Sequence, residues 1–271
     1  MKQAFINTEF VPEKQALLHF QDLAIMRGYG IFEFFRLKGE NPLFLEDHLT
    51  RFYESAEHMR LPLRFERQHL RKIIYNLIHS NKLPDTGIRI TLTGGYSEDG
   101  YSIAQPNLVI SQHLFIPPTK EQQRTGIRLM SFPHQRQLPH VKTIDYLMPI
   151  WLQPLIKQSN VDDVLYYQKD FITECPRNNF FIITEDERIL TPAENMLKGI
   201  TRMKVLHYAA PYFPLEECNI TLEDIQRAKE AFVTSTTRGI LPVAQVDDRI
   251  YSSFNITNKL QEIWERHVPG Y

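Results

Sequence analysis

Lys142 stands in the run Leu138-Pro139-His140-Val141-Lys142-Thr143-Ile144, with apolar neighbours close by. A lysine so flanked can be desolvated, which lowers its pKa and frees a neutral, nucleophilic amine. Glu174 follows about 30 residues later, in a polar run just ahead of the apolar Phe180-Phe181, where a carboxylate at a strand end can point into a cleft. Gly199-Ile200-Thr201-Arg202 leads into a helical pattern. Free N–H groups at a helix N-terminus hold phosphate, and glycine lets the ligand approach closely. Thr234-Ser235-Thr236-Thr237 presents four hydroxyls at the end of an apolar strand, which suits phosphate oxygens. Arg51, on an early helix, offers a cation to an anion.

Taken singly, each has an ordinary alternative. These are a surface lysine with a snorkelling stem, a solvated carboxylate in a turn, a plain loop-to-helix junction, exposed hydroxyls and a solvated arginine. Taken together in order, an amine, a carboxylate and several phosphate donors suit one cofactor, pyridoxal phosphate.

Those residues must be positioned by strands and helices. Residues 30–37 are rich in aromatics and read as a strand. Turn chemistry at 38–42 and the apolar residues 43–45 predict a hairpin partner. Asp47 could cap a helix over 48–59, whose Leu49, Phe52, Ala56 and Met59 follow a helical period. A second amphipathic helix is expected over 65–80, and strands over 88–92 and 108–110. Residues 115–126 are polar after a Pro-Pro pair and read as a linker. The domains expected are 1–116 and 127–271, with Lys142 in the second and 117–126 between them. Beyond the linker, strands are expected at 127–130, 163–167, 179–183, 188–190, 230–234 and 240–246. Helices are expected over 145–158, kinked by Pro149 and Pro154, and over 201–209 and 256–267, with a helix start at Thr221. The class is α+β or mixed α/β.

Composition narrows the partners. Lys+Arg is 31 and Asp+Glu 32, a formal charge of −1, so an electrostatic nucleic-acid binder is not expected. No apolar stretch is long enough to span a bilayer, and the first residues hold no secretory apolar core. Two cysteines permit neither a disulfide framework nor a four-cysteine zinc site, and no metal is expected. The setting these features predict is cytoplasmic.

At this point the chain resembles the class IV, or fold type IV, pyridoxal-phosphate enzymes, which include branched-chain and D-amino-acid aminotransferases and aminodeoxychorismate lyases. Six motifs carry the likeness in register: residues 27–33, 44–56, Val141-Lys142-Thr143, 173–181, Thr191-Pro192 with 199–202, and 232–243. The resemblance implies an α+β, two-domain fold with the cofactor at the domain interface, assembled as a homodimer. Lys142 would be the Schiff-base lysine and then move a proton between Cα and the cofactor C4′. Glu174 would pair with the pyridine nitrogen. Arg51, the backbone of Ile200 and Thr201, and Thr236 would hold the phosphate. Phe32 and Tyr146 would shape the substrate pocket, and Thr237 would lie near the substrate carboxylate.

The implied activity is amino transfer between an amino acid and a 2-oxo acid. The alternatives are a 4-amino-4-deoxychorismate lyase releasing pyruvate and 4-aminobenzoate, and a cofactor-binding protein without catalysis. Two segments depart from the relatives. Glu98 and Asp99 occupy a substrate-side loop where D-amino-acid enzymes offer cations, and would repel a carboxylate. Arg177 stands where small residues are usual; it either faces the substrate as an anion site, or points to solvent or braces Glu185 or another acid.

Overall fold

In the computed structural model, which describes every residue from Met1 to Tyr271, the chain separates into two units. The first comprises Met1–Phe115 and Val141–Asp145; the second comprises Ile116–His140 and Tyr146–Tyr271.

The first unit contains β1 (Gln3–Ile6), β2 (Glu9–Pro12), α1 (Leu23–Arg27), β3 (Gly30–Lys38), β4 (Asn41–Pro42), α2 (Leu45–His58), α3 (Arg67–Asn81), β5 (Gly87–Thr93) and β6 (Leu108–His113). Its strands form one antiparallel sheet in the order β2-β1-β6-β5-β3-β4. Side chains alternate across a strand. Ile31, Phe35 and Leu37 of β3 therefore join Ile88 and Ile90 of β5, Leu49 and Phe52 of α2 and Ile74 of α3 in one buried core. Phe32, Phe34 and Arg36 lie on the opposite face of the strand. Fully burying such side chains contributes roughly 1.5–3 kcal/mol each.

Two local expectations change here. Residues 43–45 form no strand: only Asn41 and Pro42 pair with β3, and Phe44 turns the chain with φ 54° into α2, which opens at Leu45. A three-residue apolar run cannot distinguish a strand from the first turn of a helix. Phe44, not Asp47, is the N-cap; Asp47 lies in the first turn, where its charge complements the helix dipole.

The second unit contains α4 (Lys120–Thr125), β7 (Ile127–Pro133), α5 (Leu147–Trp151), α6 (Gln153–Gln158), β8 (Asp163–Gln168), β9 (Phe171–Ile172), β10 (Glu174–Cys175), β11 (Asn178–Ile183), β12 (Ile189–Pro192), α7 (Ile200–Ala209), β13 (Leu215–Cys218), α8 (Leu222–Arg227), β14 (Glu230–Ser235), β15 (Gly239–Val246), β16 (Arg249–Ile250) and α9 (Asn255–His267). The main sheet runs β13-β12-β11-β14-β15-β7-β8-β9, with β10 on β11 and β16 on β15. Thr173, just before β10, donates its N–H to Tyr166 O of β8 at 2.9 Å. The chain thus links β8 to β11 and closes the sheet on an apolar interior of Leu129, Leu165, Cys175, Phe180, Val233 and Leu241.

The expected linker holds a helix. Thr119 and Gln122 form a capping box at the start of α4, a T-x-x-Q signature hidden in a stretch read as extended. The expected helix over 145–158 is two short helices meeting at Leu152, with Pro154 in the first turn of the second. Proline is tolerated in a first turn but not in a helix interior. Val141–Asp145, with Lys142, packs with the first unit rather than the second. Backbone pairing with β3 draws it there, a long-range contact that local spacing does not encode.

No helix is long and apolar enough to cross a membrane.

Candidate active site

Lys142 is held by its backbone. Phe32 N donates to Lys142 O at 2.9 Å, Ile144 N donates to Gly30 O at 3.0 Å, and Thr143 bridges to Ile31. The segment therefore extends the β3 edge, and Lys142 Nζ sits 4.5 Å from the centre of the Phe32 ring. The Arg89 guanidinium of β5 lies 4.1 Å from the same ring, and Arg89 Nε donates to Thr91 Oγ1 at 3.3 Å. Two cations on one aromatic ring are attracted by its negative face. This places Phe32 beside Lys142, and adds Arg89, a residue sequence reasoning missed. It stands opposite Phe34 in the β3–β5 register, a pairing that only the fold sets.

Arg51 is buried against β3. Its Nε and Nη2 donate to the two oxygens of Glu33 at 2.9 and 2.8 Å, a bidentate pair. Glu33 is fully buried, on the helix-facing side of β3. Burial opposes its ionisation, but Arg51 and then His48 override this and hold the carboxyl well below the usual carboxylate range. His48 Nδ1 comes within 3.1 Å of Glu33 Oε1, a close approach without hydrogen-bond alignment. Burial pushes the His48 imidazole toward its neutral form, and Glu33 opposes that. Glu33 and His48 carried no role in the sequence reading; the i, i+3 spacing of His48 and Arg51 on α2 puts both on the strand-facing side.

In the second unit, Glu174 and Asn179 are direct cross-strand partners of β10 and β11, and Asn179 is opposite Thr234 of β14. The three thus form a row on one face of the sheet. Glu174 Oε1 accepts from Arg136 Nε at 2.8 Å, and Oε2 accepts from Leu197 N at 3.1 Å. Asn179 Nδ2 donates to Leu197 O at 2.6 Å. The loop into α7 is therefore gripped at both polar atoms of one residue. Arg136, which also donates to Pro139 O, was missed; it stands 38 residues from Glu174, and nothing local couples them.

Gly199 is the N-cap of α7 and supplies no side-chain cap, so the first amides of the helix, at Ile200 and Thr201, point outward with their dipole. A Cβ on Gly199 would stand 2.1 Å from Asn179 Oδ1, so only glycine fits between loop and strand. Thr236 and Thr237 occupy the turn between β14 and β15, both half-buried. The neighbouring Thr234 Oγ1 and Ser235 Oγ are buried and lack a protein partner. Tyr146 is half-buried and caps α5.

Arg177 sits in the turn between β10 and β11. Its side chain is 62% exposed and Nη2 lies 3.9 Å from Asp163 Oδ2. Burial pushes the Asp163 carboxyl up, and Arg177 opposes that. Asp99 turns inward on its own loop, where its oxygens accept from Ser97 Oγ, Tyr101 N, Ser102 N and Ser102 Oγ. Its charge is spent on closing that loop, which answers part of the repulsion expected there.

Comparison with known proteins follows the same lines. The pattern described as Amino-transferase class IV matches residues 30–246. A D-alanine aminotransferase of Staphylococcus epidermidis is 25% identical over 282 residues, covering 100% of this chain and 99% of the relative. The branched-chain amino acid aminotransferase of Thermus thermophilus, solved with pyridoxamine 5′-phosphate, superposes with a TM-score of 0.90 at 22% identity, covering 99% and 94% of the two chains. A provisionally named 4-amino-4-deoxychorismate lyase of Legionella pneumophila superposes with a TM-score of 0.86 at 23% identity, covering 94% and 96%.

Proposed function

Since the chain belongs to the class IV aminotransferase family, whose members use pyridoxal 5′-phosphate, we propose that it transfers an amino group between an amino acid and a 2-oxo acid with Lys142 as the catalytic amine. The observation that carries this reading is the pairing of the Lys142 backbone with β3, which holds Nζ over Phe32.

The residues present fit the cofactor. A carboxylate anchored by two donors at Glu174, an α7 terminus without a side-chain cap, and buried hydroxyls at Thr234 and Ser235 lacking protein partners are the donor set a phosphorylated pyridine needs. Glu174 would face the ring nitrogen and keep its proton. The N–H groups of Ile200 and Thr201, the Thr236 hydroxyl and Arg51 would hold the phosphate. The cofactor supplies an electron sink for the pair left when a Cα proton departs. Lys142 Nζ takes that proton and returns it, as a base and then an acid. Phe32 limits how far Nζ can swing. Tyr146 would border the substrate, and Thr237 would meet its carboxylate. For Arg177 both roles are carried forward, an anion site or a brace for Asp163; its approach to Asp163 supports the brace.

The same lysine and cofactor would serve elimination of pyruvate from 4-amino-4-deoxychorismate, a second reading favoured by the likeness to the Legionella structure. A paired assay separates them. Purified protein loaded with pyridoxal phosphate is offered L- and D-amino acids with 2-oxoglutarate or pyruvate, and separately aminodeoxychorismate. Keto acid in the first arm alone is the expected outcome; release of 4-aminobenzoate in the second makes it a lyase. A homodimer is also proposed, on the exposed Leu147, Ile150 and Trp151 of α5. The cytoplasm is the setting proposed for it.

A further inference from the structure

We propose that Tyr271 is a positioning residue that holds the turn between β14 and β15 from behind, so that Thr236 keeps a fixed place against the cofactor phosphate. The inference rests on the phosphate role proposed above for that turn.

The ladder of β14 and β15 closes at Ser235 opposite Gly239, and within the turn beyond it Arg238 N donates to Ser235 O at 3.3 Å, with Thr236 and Thr237 between. The Tyr271 hydroxyl donates to Thr236 O at 2.5 Å and approaches Ser235 O at 3.4 Å. One hydroxyl thus reaches two successive carbonyls and fixes the peptide plane that carries Thr236. The ring itself lies flush on the turn. Gly239 closes it with φ 63°, and a Cβ there would come within 3.1 Å of Tyr271 Cδ1.

What anchors Tyr271 also anchors α7. The Tyr271 ring meets Trp264 edge-on at 4.8 Å and 89°, and Trp264 is 5% exposed. Trp264 lies 6.2 Å from Tyr208 of α7, whose ring stacks on His267 at 4.3 Å and 11°. A run of aromatic rings therefore connects the helix whose first amides belong to Ile200 and Thr201 with the turn that carries Thr236. The rings hold the last turn of α7 and the β14–β15 turn against the same helix, α9. Beside the ring is a cavity of about 550 Å³ lined by Arg238, Gly239, Ile240, Gln261, Trp264 and Tyr271. The turn is not packed from that side, so the Tyr271 hydrogen bond adds a restraint the cavity does not supply.

The test uses full-length apoprotein titrated with pyridoxal phosphate, and in parallel with pyridoxal, which lacks the phosphate. Tyr271→Phe removes the hydroxyl and keeps the ring on Trp264. The expected result is an approximately fivefold rise in the Kd for pyridoxal phosphate, from the lost positioning of the turn, with a shifted ³¹P resonance of the bound phosphate. Pyridoxal should bind the variant and the native protein alike. A general loosening of the fold would weaken both ligands together and overturns the proposal. So does a native Kd for pyridoxal phosphate in Tyr271→Phe while Thr236→Val is weakened. If Thr236→Val binds pyridoxal phosphate as tightly as native protein, the phosphate role of the turn fails and the inference falls with that premise.

Discussion

Lys142→Ala is expected to lower turnover by about 10³-fold or more and to abolish the absorption band of the bound cofactor. Retained band and turnover would put the catalytic amine elsewhere. Glu33 makes a different kind of prediction. Its carboxyl is held low by Arg51 and His48 against burial, so its stabilisation is present at neutral pH and is lost only as pH falls through and below the carboxylate range. Glu33→Gln leaves Arg51 buried without a counter-charge, and urea melts should show a loss of about 3 kcal/mol. Asp163 has the opposite sign. Burial raises its pKa, so folding favours the neutral acid and stability declines as pH rises above the ordinary Asp value. Asp163→Asn should flatten that decline, which amounts to about 1.4 kcal/mol for each pH unit separating the folded and unfolded titrations. The same melts on Arg177→Ala show whether Arg177 braces Asp163. Weakened substrate affinity with unchanged stability would instead make it the anion site.

Gly199 lets the loop into α7 sit against β11. Gly199→Ala drives a Cβ into Asn179 Oδ1 and disturbs the grip on Leu197, so a destabilisation of about 1–3 kcal/mol is expected by thermal melt, with weaker retention of pyridoxal phosphate. A variant that melts and binds like the native protein would show that the loop relaxes freely. Much at this level is legible in the residues. The helical periods of Leu49, Phe52 and Ala56, and of Leu70, Ile73, Ile74 and Leu77, point to faces that are buried. The Thr221 start is a capping box with Asp224. What escapes is short or non-periodic: β1, β2, α1, β9, β10, β13 and β16 are two to five residues each, below the length at which a period declares itself.

Assembly is the largest arrangement at stake. Leu147, Ile150 and Trp151 are 76%, 62% and 66% exposed, a cluster of apolar side chains that a single copy leaves in water. Sedimentation of the native protein should give twice the mass of one chain, and Trp151→Glu should shift it toward one chain. A monomeric native protein would remove this proposal without touching the role of Lys142. The division of the chain also departs from expectation at this level. A boundary between residues 116 and 127 treats the chain as two successive stretches, whereas Val141–Asp145 returns to pack with the first.

Residue types and their order were enough to indicate the family, whose pattern matches residues 30–246, because its motifs are runs of adjacent positions; the roles of Lys142, Glu174 and the phosphate-side segments are proposals that rest on it. Tertiary structure alone paired Glu33 with Arg51, Arg136 with Glu174, and Tyr271 with Thr236, over separations of 18, 38 and 35 residues. It also moved Lys142 onto the edge of β3. The physical reason is that hydrogen-bond donors and buried charges are satisfied by whatever the fold brings within about 3 Å, and strand register, not local spacing, decides what that is.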